Sequence, residues 1–553
     1  MGGQTLERWL LVNYAGYPFA PNSLMSDNGL ANLAGALAAR GRAVEILDYC
    51  TVETLRRFTS PALTRRLVRA WDNVRGGTGR GVGAAWRKLN ALVRLQACER
   101  ARQRLQEQAL AALGQELVAQ VREHGITAVG FKLWNGDGLE GAVQLAGVIR
   151  RVCPGVRVFG GGPMVDFFME GLLGPAAPFD ALVYGEGEET IQQLAEMGAV
   201  ATSFGEIPNL LYRKDGRVLR TGERIIEDLD GLPLPLYAPE VYPALRGDDK
   251  IKIVVVDESR GCANQCAFCV HPMKSHRRLR LKSIPRLMQE IEQLDRAFGY
   301  RTFRFAGSCT PYGLLNAFAA EAVRRQRPLV YASFAHLRNT GEADFGLLRQ
   351  SGCVALFFGI ESGCQRLLDR MRKGVRADTV AETFRRANAA GIFTVGSLIY
   401  PAPGEDAASR QETLDLIAAA HPGSVALQPP VVAPRTDWFD HAADYGIAFR
   451  DRDAYVQALM RWKAKLLLPT ALWRPLAVTV DGKPYKRVLK ETAEFGRQLS
   501  ALGVLTSVSD DAYLMSVRAG TEIRAFRDDT LRAFFTGDVD AISQVVVRIN
   551  TRE

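Results

Sequence analysis

The sequence predicts an α/β protein: an N-terminal doubly wound parallel sheet, then a partial (β/α)6 barrel of the TIM type, then a mainly helical C-terminal region. Three observations predict this. Short apolar runs alternate with helical patterns through residues 1–200, as parallel sheets with covering helices require. Six strand–helix units follow in unbroken order from residue 251. Beyond about Trp438 the periodicity is helical. With 553 residues and 47% hydrophobic content, the chain is long enough for several cores and too apolar to be disordered.

In the first unit, strands are expected at Trp9–Asn13, Val44–Leu47, Ala128–Phe131, Val156–Phe159 and Ala181–Val183. Leu30–Ala39 is apolar at helical spacing and closed by Gly41, and Gly138–Arg150 and Glu189–Met197 read the same way. Helices near 51–120, broken at Gly76–Gly83, interrupt the alternation between the second and third strands. Residues 201–250 are rich in proline and turn signals, with a hairpin expected at Lys214–Asp215–Gly216, and read as a linker.

Barrel strands are expected at Ile253–Val256, Thr302–Ala306, Leu329–Ser333, Val354–Gly359, Phe393–Ile399 and Ser424–Gln428. Helices should lie between them at Ser283–Phe298, Pro311–Arg325, Glu342–Gln350, Cys364–Met371 with Ala377–Ala390, and Ala407–Ala420. The barrel domain is thus 251–437. The segment 438–553 should carry helices at Asp453–Leu467 and Thr492–Leu502 and a small strand pair.

Charge is concentrated. Thr51–Arg104 holds thirteen Lys and Arg against Glu53, Asp72 and Glu99, an excess equal to the whole net charge of +10. A basic surface can attract nucleic acid, a membrane or an anionic substrate. Without interleaved aromatics for base stacking, the segment reads instead as a solvated helical insertion, and nucleic acid is not the expected partner. No apolar run reaches the roughly 20 residues of a membrane span, and the N-terminus lacks a secretory pattern, so a cytoplasmic enzyme is expected.

Of nine cysteines, Cys50, Cys98, Cys153, Cys309, Cys353 and Cys364 are dispersed in apolar stretches and read as small core residues. Cys262, Cys266 and Cys269 are different: C-x3-C-x2-C directly after the first barrel strand. Three thiolates on one loop can hold three irons of a four-iron cluster and, with no fourth cysteine nearby in the chain, leave one iron open. The competing use is structural zinc, with His271 as fourth ligand, although zinc sites usually pair C-x2-C motifs.

This loop resembles the signature of the radical S-adenosylmethionine (SAM) superfamily, with Phe268 as its aromatic residue, and the likeness covers about Ile251–Pro434. It implies a 4Fe-4S cluster on Cys262, Cys266 and Cys269, with SAM chelating the open iron. Ala306, Gly307 and Ser308 end the second barrel strand where the family's main chain meets the SAM amino group, although the usual Gly-Gly-Glu is absent. Glu361 and Ser362, in Gly359–Gly363, match the strand end that faces the ribose. Val395–Glu405 resembles the segment beside adenine, and Pro429–Pro434 the sixth strand end. Taken alone, Glu361 could equally cap the following helix.

The N-terminal unit is similar to Rossmann-like cobalamin-binding domains, which bury the cofactor's tail at strand ends. The resemblance implies contacts from Lys132, Leu133 and Trp134 after the third strand and from Gly160, Gly161 and Gly162 after the fourth. Gly185, Glu186 and Gly187 follow the fifth. The family's Asp-x-His-x-x-Gly loop is replaced by Asn13-Tyr14-Ala15-Gly16-Tyr17-Pro18. Tyr14 and Ala15 would then lie beside a cobalamin that has no histidine under its cobalt.

Together the two resemblances imply a cobalamin-dependent radical SAM methyltransferase. A 5′-deoxyadenosyl radical would abstract hydrogen, and methylcobalamin would deliver a methyl group to an unactivated carbon of a small-molecule or peptide substrate. An electron donor such as flavodoxin or ferredoxin is implied. A cyclase or rearrangement enzyme without methyl transfer is the alternative. A methylthiotransferase would need three more clustered cysteines, and Cys50, Cys98 and Cys153 are too dispersed.

Overall fold

The computed structural model describes residues 7–75, 82–197, 203–462, 468 and 470–551. The N-terminal sheet holds β1 (Arg8–Asn13), β2 (Ala43–Asp48), β3 (Ala128–Lys132), β4 (Arg157–Gly161), β5 (Ala181–Val183), β6 (Leu210–Lys214) and β7 (Arg217–Arg220). They lie in the order β2-β1-β3-β4-β5-β6-β7; the first five are parallel and the last two antiparallel. The pleat sorts β1 between two cores. Trp9 and Leu11 meet helix Asn28–Ala39 and helix Glu188–Glu196, while Leu10 and Val12 face helices Val82–Glu123 and Asp137–Val152.

Each expected strand of this sheet is present to within two residues. The segment from 203 to 250 does more than connect: its hairpin, turned by Asp215 and Gly216 at positive φ, adds β6 and β7 to the sheet. The basic insertion folds as helices Val52–Arg57, Pro61–Arg75 and Val82–Glu123; the expected break falls mostly on 76–81, outside the described residues. Its inner face packs on the C-terminal helices. Leu63, Leu67 and Cys98 surround Phe535, and buried Arg102 donates to the Phe535 carbonyl at 2.9 Å.

The second sheet carries β8 (Val254–Val256), β9 (Thr302–Phe305), β10 (Val330–Ala335), β11 (Cys353–Glu361), β12 (Phe393–Ile399), β13 (Ser424–Gln428) and a short β14 (Leu505–Thr506). All neighbours are parallel and in sequence order, and β14 and β8 are the two open edges, so the barrel is partial. Helices Ile284–Phe298, Tyr312–Arg324, Phe345–Gln350, Gln365–Arg370, Ala377–Ala389 and Ala407–Ala420 connect β8 to β13. Beyond residue 440 the chain supplies helices Tyr485–Ala501, Asp510–Ala519, Ile523–Thr536 and Val539–Thr551. It also forms a three-stranded sheet of Ile447–Phe449, Val478–Val480 and Lys483–Pro484, one strand more than expected. Helix Asp510–Ala519 lies against β10–β12, and its Asp510 holds Arg304 of β9 at 2.6 Å.

Candidate functional site

The three-cysteine loop follows β8 through Gly261, where φ is +86° and an added Cβ would fall 2.0 Å from the Arg278 carbonyl oxygen, so no side chain fits. The loop is fixed at its middle: Ala267 donates to the Met371 carbonyl and accepts from Trp438. Phe268 packs against Trp438, with ring centroids 5.6 Å apart. No cysteine is in a disulfide. Burial pushes Cys266 upward and Cys269 to about 12, whereas a hydrogen bond with Cys309 pulls the Cys262 thiol down. Among the described residues no three His, Cys, Asp or Glu side chains converge closely enough to hold a single metal ion.

Two neighbours went unread in the sequence. Cys309 is half-buried rather than a core residue, and Asn264 Nδ2 reaches both Cys262 Sγ at 3.3 Å and Cys309 Sγ at 3.7 Å. The expectation that no fourth cysteine is close holds along the chain but not in space. Lys373 is buried and pairs with Glu361 at 2.9 Å. Burial opposes its charge, but Glu361 and the thiols of Cys266 and Cys269 hold its pKa above the usual lysine value. Met371-Arg372-Lys373-Gly374 reads as an ordinary basic helix end, so nothing local marked this lysine.

Glu361 ends β11 with φ +69° at a register shift against β12, and its second oxygen accepts from Ser397 at 3.1 Å. Ser362 is buried beside it, with Oγ accepting from Cys364 N. Ala306 and Ser308 line the cavity described below, and Ser308 Oγ lies 3.2 Å from His271 Nδ1. Gly307 does not: its N–H donates to fully buried Glu258, which also receives Thr310 and Ser259 hydroxyls. Burial raises the Glu258 pKa, and these donors oppose the rise. His336, just past β10, has Nδ1 engaged by Arg338 N at 2.9 Å, while its buried Nε2 lacks a partner. Its environment keeps the ring neutral, with the pKa lowered to about 3 by burial and then by Lys373 and Arg338. With Nδ1 accepting, neutral His336 carries its proton on Nε2 and presents an unused donor.

A cavity of about 370 Å³ joins the two halves. From the N-terminal sheet it is lined by Lys132, Gly160, Gly161, Gly162, Gly185, Glu186 and Gly187. Asp257, Arg260, Gly261, His271, Ala306 and Ser308 line it from the barrel. The glycines differ in why they are glycine. At Gly160 a Cβ would strike Leu182 at 2.6 Å, and Gly162 has φ +103°. A Cβ on Gly161 meets nothing nearer than Val183 at 3.6 Å, so that position borders the cavity itself. Glu186 is engaged twice by Arg280 and Glu188 by Arg260, so the Gly-Glu-Gly-Glu run also clasps the two domains.

Glu361 and Ser362 are not among the lining residues, nor are four of the candidates on the N-terminal side. Tyr14 is core, its ring packed edge-on to Tyr49 and Phe58 and flush with Gly141. Ala15 lies under Gly138, and Leu133 is fully buried. Trp134 donates to Asn13 Oδ1 at 2.8 Å beneath the Lys132 ammonium. Asn13 is in turn tied to Asp48, whose carboxylate is paired with Lys250 at 2.7 Å in full burial.

Comparison with known proteins agrees with this layout. The radical SAM superfamily model matches residues 259–417, and the B12 binding domain model matches residues 86–195. An uncharacterised methyltransferase of Pyrococcus horikoshii is 26% identical over 287 residues, covering 51% of this chain and 60% of that protein. The match therefore spans less than two thirds of that relative. Among solved structures, the radical SAM methyltransferase TsrM from Kitasatospora setae, with cobalamin and a [4Fe-4S] cluster bound, has a TM-score of 0.61 and 15% identity. It covers 97% of this chain and 99% of its own, and at that identity the likeness is one of fold. OxsB, a cobalamin-dependent SAM radical enzyme with aqua-cobalamin and SAM bound, gives a TM-score of 0.57 at 14% identity, over 89% of this chain and 62% of its own. One stretch of this chain thus matches the radical SAM superfamily model and another, N-terminal to it, matches the B12 binding domain model.

Proposed function

We propose that the chain is a cobalamin-dependent radical SAM methyltransferase acting on a carbon of a small-molecule or peptide substrate. Its electrons would come from a flavodoxin- or ferredoxin-type donor. One observation carries the reading: a single cavity is bounded on one side by the glycine-rich strand ends of the B12 binding half and on the other by residues flanking the three-cysteine loop. When bound, the cofactors supply an electron for cleavage of SAM and a carrier for its methyl group.

The residues present fit that set. Cys262, Cys266 and Cys269 would hold the cluster, and Lys373 offsets their charge as thiolates. Ala306, Ser308, Glu361 and Ser362 would border SAM, and the unused Nε2–H of His336 offers a donor to one of its oxygens. Lys132, Gly160, Gly161, Gly162, Gly185 and Gly187 would border cobalamin. Gly307, Glu186, Tyr14, Ala15, Leu133 and Trp134 would act by shaping the walls. Residues 1–200 with the 210–220 hairpin form the cobalamin half and 251–437 the radical SAM half. Residues 438–553 cover them.

The test uses protein reconstituted anaerobically with iron, sulfide and cobalamin. Given methyl-deuterated SAM and reductant, it should form S-adenosylhomocysteine and place one labelled methyl on cobalamin, read by mass spectrometry. Absence of both would refute the proposal. With substrate, the label should appear in the product; 5′-deoxyadenosine with unlabelled product would mark a cyclase or rearrangement enzyme.

A further inference from the structure

We propose that Cys309 is a fourth, exchangeable thiolate ligand of the cluster, occupying the iron left open by the three-cysteine loop until SAM displaces it. The inference rests on the cluster assignment above and on where the fold puts this residue. Cys309 lies four residues past β9, at the carboxyl end of the barrel, as the cluster loop does after β8. Asn264, inside the cluster loop, directs one amide at the sulfurs of both Cys262 and Cys309.

The two loops are held together on either side of that contact. Ser308 meets His271, two residues beyond Cys269, and Thr310 bonds Glu258 at 2.6 Å and bridges to Ala335 at the end of β10. Cys309 is thus braced by both of its neighbours. Cys309 is partly exposed, as are Cys266, Cys269 and the distant Cys153, while Cys262 and the other cysteines are buried. With Cys309 linked to Cys262 through Asn264, the cysteines on these two loops match in number the four thiolates of a cysteine-ligated cubane.

The exchange needs no redox step. One iron–sulfur bond to Cys309 breaks as the amino nitrogen and a carboxylate oxygen of SAM bind that iron. The released thiolate takes a proton from solvent and returns to the Asn264 amide. Cys309 would then guard the labile iron while SAM is absent.

The experiment compares anaerobically reconstituted wild type with Cys309→Ala. Both should carry about four irons and four sulfides per chain. Brief ferricyanide oxidation should convert the variant to the [3Fe-4S] form, read by electron paramagnetic resonance, several-fold more than wild type. Equal conversion would overturn the proposal and leave the three-cysteine cluster standing; a wild type without a cluster would remove both. A second measurement needs no variant. In wild-type holoprotein, maleimide labelling of Cys309, mapped by mass spectrometry, should rise several-fold when SAM is added. Labelling unchanged by SAM would count against ligation.

Discussion

Replacing Lys373 by Met should be among the costliest single changes in the barrel. The lysine and Glu361 each retain only 9% side-chain exposure, their charges lie 2.9 Å apart, and Glu361 is locked by a left-handed backbone and by Ser397. Met fills a similar volume, so the loss is electrostatic: a buried carboxylate without its counter-charge, costing about 3–5 kcal/mol. The double variant Lys373→Met/Glu361→Gln removes the orphaned charge and keeps an acceptor for Ser397. It should regain roughly half of that loss, since replacing both members of a buried pair is often near neutral. Chemical denaturation of the apoprotein, followed by near-ultraviolet circular dichroism, gives the comparison. The lysine also serves the thiols, so the double variant should refold yet load iron more slowly. A single variant that loses less than about 1 kcal/mol, the range of an exposed pair, would refute the reasoning. So would a double variant no more stable than the single.

Replacing Cys262, Cys266 and Cys269 together by Ala should abolish the cluster, and iron and sulfide analysis would contradict the assignment if about four of each remained. Gly161→Val should fold, because its Cβ clears Val183, yet bind cobalamin much more weakly; unaltered binding in a spectrophotometric titration would place the cofactor elsewhere. His336 is held neutral with its pKa near 3, below the ordinary 6.5, so between these values the unfolded chain binds the extra proton. Stability from this group is full above pH 6.5 and falls as pH drops towards 3, by at most about 1.4 kcal/mol per unit before screening. His336→Gln should therefore flatten the decline in thermal midpoint between pH 7 and pH 5, and an unchanged slope would refute it. The insertion packs by Leu63, Leu67 and Arg102 against the C-terminal helices, so the protein should bind unrelated DNA or RNA no more tightly than about micromolar at moderate salt. Salt-sensitive, sub-micromolar binding in a filter assay would count against a structural role.

Most of the architecture was legible because period-2 and period-3.6 patterns are local. The apolar run of β1 and the C-x3-C-x2-C loop each declare themselves within a few residues. What escaped was produced by packing between distant segments. Cys309 and Lys373 lie 47 and 111 residues after Cys262 and look like any core cysteine or basic helix end until the barrel curls them towards the same loop. Tyr14 shows another effect of packing. A position beside the first strand's end suggested a cofactor contact, but the ring turns into the core because Gly141 leaves it a slot. The hairpin at 210–220 was seen, yet its pairing to β5 needed the antiparallel partner in space. That Glu186 and Glu188 also pair with arginines 94 and 72 residues away could not be read from the run itself.

Those clasps constrain motion as well as position. Arg280 and Arg260 are nearly buried and reach from the barrel into the floor of the shared cavity. Prising the halves apart would break both ion pairs together with the buried packing around them, so the seam resists hinge-like opening. The cavity between the halves is partly open to solvent, so a ligand seated there would meet two walls of fixed spacing rather than a closing jaw.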